Sequence, residues 1–94
     1  MDKAEALKIL TEQLARFSER SHAELVPLVD AEHVENFEVR GMSGKAYQVE
    51  IQFFWDYKPG QTIRVMDSID DGGIRAFVPL CDSLLIAPTE RLSL

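Results

Sequence analysis

Apolar residues recur every three or four positions near the start of the chain, and every two positions after residue 36. The first pattern spans residues 3–19. Leu7, Leu10, Leu14 and Phe17 form one stripe, Ala6 and Ile9 widen it, and Lys3, Lys8, Glu12, Arg16 and Glu19 occupy the other side. This spacing predicts an amphipathic helix. Glu12 and Arg16 are four apart in the favourable order for pairing, and Lys8 and Glu12 also pair. Asp2 suits the positive N-terminal end. The stretch "SHAE", residues 21–24, has the form of a capping box, with Ser21 and Glu24 in the reciprocal positions. Pro27 lies beyond the first turn, where it removes a hydrogen bond and crowds the preceding turn. We therefore expect one or two irregular turns burying Leu25, Leu28 and Val29, within a connection over residues 21–35.

The second pattern predicts strands at about 36–41, 46–55, 62–69, 74–80 and 83–87. In "AYQVEIQFFW", Tyr47, Val49, Ile51, Phe53 and Trp55 face one way, and Gln48, Glu50, Gln52 and Phe54 the other. Met42-Ser43-Gly44 fits a three-residue hairpin loop, with Gly44 in the left-handed conformation. That register sets Val39 opposite Tyr47 and Phe37 opposite Val49. Pro59-Gly60 suits the centre of a type II turn. Ile63, Val65, Asp67 and Ile69 then share a face, and only an even-length loop at "DDGG" keeps Ile74, Val78 and Leu80 on that same face. Pro79 suits an edge position or a strand break.

The expected architecture is α+β: an N-terminal helix packed on one face of a four- or five-stranded antiparallel meander sheet, in a single domain over residues 1–94. The 94-residue length fits one domain with one modest core. A chain that opens with Met1 and carries no tag is expected to be a complete small protein.

Composition narrows the function classes. Hydrophobic residues are 46% and charged residues 28%, an ordinary balance for a soluble globular protein. The formal net charge of −6 repels phosphate backbones and anionic lipids, so neither nucleic acid nor membrane is an expected partner. Cys81 is the only cysteine, which excludes an internal disulfide. No signal-like apolar start is present, and a cytoplasmic protein is expected.

No arrangement of residues carries a recognisable chemistry. Counted from Asp67, the acidic turn places Ile69 and Val78 where a calcium loop needs oxygen ligands. Asp-Gly between alternating strands is itself a hairpin signal. His22 and His33 lack a third ligand for zinc, and Cys81 lacks a placed base, which reads as a passive, partly buried thiol. "GMSG" and "DDGG" match no phosphate-binding fingerprint. No catalytic, metal or cofactor residues are assigned, and the balance leans away from an enzyme.

Two features remain. Asp67 falls on the apolar face, where a carboxylate needs a partner or a raised pKa. Three explanations stand: a bulge turns it outward, Tyr47 or the Trp55 N–H satisfies it, or it serves a pocket. Tyr47, Trp55 and Asp67 are thus candidate pocket residues for a small-molecule binder or enzyme. Phe54, Met66, Phe77 and Pro79 point away from the helix, with Arg64 and Arg75 at the rim. Such a patch marks an interface, and a homodimer or another protein is the expected partner. The charge balance also fits an acidic partner for a basic protein.

The stretch from Tyr47 to Pro88 resembles small bacterial proteins of no assigned function. The matching positions are Phe54, Trp55, Asp56, Pro59, Gly60, Asp70, Asp71, Gly72, Gly73, Arg75, Ala76, Phe77, Pro79, Leu80 and Asp82. The resemblance covers about half the chain and implies neither an activity nor a site.

Overall fold

The computed structural model describes residues 2–72 and 80–88. The elements run α1 (Lys3–Ala15), α2 (His22–Asp30), β1 (Val34–Arg40), β2 (Ala46–Trp55), β3 (Ile63–Asp70) and β4 (Leu80–Ile86). The strands form an antiparallel sheet in the order β1-β2-β3-β4. The fold is α+β, with the N-terminal helix packed on the sheet as expected. No described helix is long and apolar enough to cross a membrane.

Helix α1 begins at Asp2, whose carboxylate accepts from the Glu5 N–H at 3.0 Å. It buries Ala6, Ile9, Leu10 and Leu14. Leu7, half exposed, is not part of that stripe. The helix stops four residues short of position 19, and a following turn carries Phe17 into the core. Arg16 caps the end, so the expected pairing with Glu12 gives way to contacts with Gln13 (2.8 Å) and Glu35 (3.3 Å). Its guanidinium also lies over the Phe17 and Phe37 rings.

The connection over 21–35 is more regular than Pro27 suggests. The Ser21–Glu24 capping box forms, and α2 continues through Pro27 as a nine-residue helix burying Leu25 and Val29. The proline removes one bond, to the Ala23 carbonyl, and Ala23 is exposed so that water can satisfy it. The helix ends with the Glu32 N–H donating to Val29 and the His33 N–H donating to Leu28, the bonding pattern of a Schellman motif. Glu32 sits at its left-handed position with φ 53°, where glycine is usual.

The β1–β2 hairpin has the expected register, Val39 opposite Tyr47 and Phe37 opposite Val49. Gly44 at φ 91° makes its loop. Gln61 donates to the Lys58 carbonyl across Pro59-Gly60, and Gly60 has φ 86°. Both helices cover the sheet face that carries Tyr47, Val49, Ile51, Phe53, Ile63, Val65 and Ile69. Phe17 meets Phe53 edge to face at 5.3 Å. Burial of this cluster is the main force holding helices and sheet together.

The neighbour of β3 differs from expectation. Apart from Leu80, the strand expected at 74–80 lies outside the described residues. Beside residues 63–69 runs β4, with Ile69 opposite Leu80 and Ile63 opposite Ile86. Leu80 packs toward the core as expected, with Leu84 and Ile86 on the same side, while Ile74 and Val78 lie outside the described residues.

Candidate interaction surface

The strand registers fix what is presented by the sheet face that the described residues leave uncovered. One cross-strand row is Val34–Gln52–Met66–Ser83, and the next is Phe54–Arg64–Leu85. Val34 (41% exposed), Phe54 (36%) and Leu85 (51%) leave apolar surface open. Arg64 stands among them without contributing net charge. Its Nη2 and Nε donate to Asp56 Oδ1 at 2.7 and 2.9 Å, and its Nη1 donates to Ser83 Oγ at 2.7 Å. Toward the other end of the face Glu38, Gln48 and Asp70 form a row next to Glu50, and Arg40 pairs with Glu38 at 3.4 Å, which leaves the described residues of that end net acidic. The face is therefore divided into a neutral, partly apolar end and an acidic end.

Of the expected interface residues, Phe54, Met66 and Arg64 come together here. Arg75, Phe77 and Pro79 lie outside the described residues. Val34 and Leu85 were not expected. The Val34 signal was its place two positions before an alternating run, and Leu85 becomes visible only once β4 is known to pair with β3. Cys81 is exposed on this face opposite Ser68, rather than partly buried.

The candidate pocket residues are not gathered. Asp67 lies opposite Ile51, and Tyr47 and Trp55 are four residues to either side of Ile51 along β2, about 13 Å each way at strand rise. Tyr47 instead serves an anchor at the hairpin. Its hydroxyl donates to Glu5 Oε1 at 2.7 Å, and the Ser43 N–H and hydroxyl donate to the same carboxylate at 2.9 and 2.7 Å. The Ser43 backbone N–H, then the Tyr47 and Ser43 hydroxyls, hold the Glu5 carboxyl below the usual range. Burial and the Glu5 carboxylate push the Tyr47 phenol up to about 12. A Cβ at Gly41 would collide with the Glu5 carboxylate, so a larger residue there would push that side chain off its hydrogen bonds.

Asp67 is completely buried in an unbroken register, so no bulge turns it out. No side chain or main-chain group of another described residue hydrogen-bonds either carboxylate oxygen. Desolvation, then the charge of Asp82 opposite it on β4, raises its pKa to about 7.

A groove of about 560 Å³ opens where α2, the α2–β1 turn and the end of β2 meet. Val29, Val34, Phe53, Phe54 and Trp55 give it apolar walls, and Asp30, Glu32 and His33 give it polar ones. His33 packs against Phe53, and its ring lies 3.6 Å from Glu35. His22 is held by the Gln61 carbonyl beside Trp55. Among the described residues no three metal-ligating side chains cluster.

Comparison of the chain with protein-family models, curated proteins and solved structures finds no match. The functional reading therefore rests on the chain's own residues.

Proposed function

We propose that this protein is an interaction module rather than an enzyme, and that it self-associates through the uncovered face of its sheet. One observation carries the reading: the two helices cover one sheet face, and among the described residues the other presents an apolar band whose one cation, Arg64, is already paired with Asp56. A second copy can then meet this band without burying an unpaired charge, the most costly fault of an interface. The acidic ends, repelled from one another, favour an arrangement in which neutral end meets neutral end. Cyclic dimers are the commonest symmetric assembly. An exposed cysteine suits a reducing compartment such as the cytoplasm, which is part of the proposal.

Solvent paramagnetic attenuation of side-chain signals at low and high protein concentration tests this. Val34, Met66 and Leu85 should gain protection at high concentration while Leu7 keeps its attenuation. Equal behaviour of Leu7 and Leu85 would contradict the proposal.

A further inference from the structure

We propose that the groove beside the end of β2 receives an extended peptide segment carrying a lysine or arginine side chain. The first argument is a gap in the sheet. Pairing between β1 and β2 starts at Val34 opposite Gln52, yet β2 runs on through Phe53, Phe54 and Trp55. The chain before Val34 turns away instead of continuing the ladder, because the His33 N–H is committed to the Leu28 carbonyl at 2.9 Å.

The second argument is backbone direction. Asp56 donates to Thr62, so its main chain faces β3. Alternation along a strand then points the N–H and C=O of Trp55 to the opposite side, toward the gap. No β1 residue stands across from them. An added strand segment would find main-chain partners there, the geometry of β-augmentation.

The third argument is charge. Asp30 and Glu32 line the groove, both exposed, and neither is ion-paired with a described residue. Together with the Trp55 and Phe54 rings they offer a cation both carboxylates and aromatic surface. The volume lies within the roughly 300–1,000 Å³ range of ligand sites. The net charge of −6 adds long-range attraction for a basic partner. Glu32 retains a carboxylate at a left-handed position that glycine would occupy with less strain. The groove shares Val34 and Phe54 with the open-face band, but Asp30, Glu32 and Trp55 lie outside that band, so the Asp30→Asn, Glu32→Gln double variant should weaken peptide binding while leaving self-association unchanged.

Trp55 is the only tryptophan, so its fluorescence reports on the groove directly. The probe is a blocked pentapeptide alternating valine with lysine, titrated into the full chain with parallel amide NMR spectra. Saturable changes centred on Trp55 and Glu32 are expected, with affinity falling about tenfold in the Asp30→Asn, Glu32→Gln double variant. Both side chains are exposed, so the variant keeps the fold. The peptide with glutamate in place of lysine should be silent, and N-methylation of its backbone should weaken binding. Changes centred elsewhere, an equal response to the glutamate peptide, or no response would overturn the proposal. Butylammonium binding as tightly as the peptide would overturn its strand-addition part.

Discussion

Asp67 puts a carboxylate into the core with no partner from another described residue, opposite a second aspartate. Its pKa, raised to about 7 from 3.8, means the folded state holds a proton that the unfolded state releases above about pH 4. Its contribution to stability is thus fully present below the unfolded pKa and is lost as pH rises through about 7. The loss is on the order of 2–4 kcal/mol. Chemical denaturation between pH 5 and 8 should show the chain weakening as pH rises. Asp67→Val should flatten that slope and be more stable than the parent at pH 8. An unchanged slope would mean that another group titrates. At the α2 terminus, Glu32→Gly relieves a left-handed backbone and should stabilise by roughly 0.5–1 kcal/mol, seen as a higher denaturation midpoint. At the hairpin, Gly41→Ala pushes a Cβ into the Glu5 carboxylate, so its melting temperature should fall.

At the level of elements, local chemistry is what the sequence made legible. The β1–β2 hairpin could be read from its alternation and Gly44, and the turn before β3 from Pro59-Gly60. The capping box announced α2, but Pro27 concealed its regularity, because the cost of one lost bond to an exposed carbonyl is small beside the burial of Leu25 and Val29. Ser21→Ala should cost about 1 kcal/mol by removing that cap, measurable by denaturant titration. The partner of β3 was not legible. Alternation fixes which face a residue takes but not which later segment supplies the neighbour, and Leu80–Ile86 keeps the same parity as a shorter loop would. The same limit hid Leu85 from the interface and left Tyr47 looking like a pocket residue, although Glu5, 42 positions earlier, claims its hydroxyl.

For the whole molecule, the division into a helix-covered face and an uncovered face decides the functional reading. Apolar side chains on the uncovered face gain nothing from the core cluster, and the pairing of Arg64 with Asp56 leaves their surroundings neutral. Sedimentation equilibrium over a wide concentration range tests self-association through this face most directly. The parent chain should rise toward twice its monomer mass. Phe54→Asp, which puts a charge into the band, should remain monomeric, and Leu7→Asp on the helix side should behave like the parent. A parent that stays monomeric at every concentration, or a Phe54→Asp variant that associates as well as the parent does, would contradict the account.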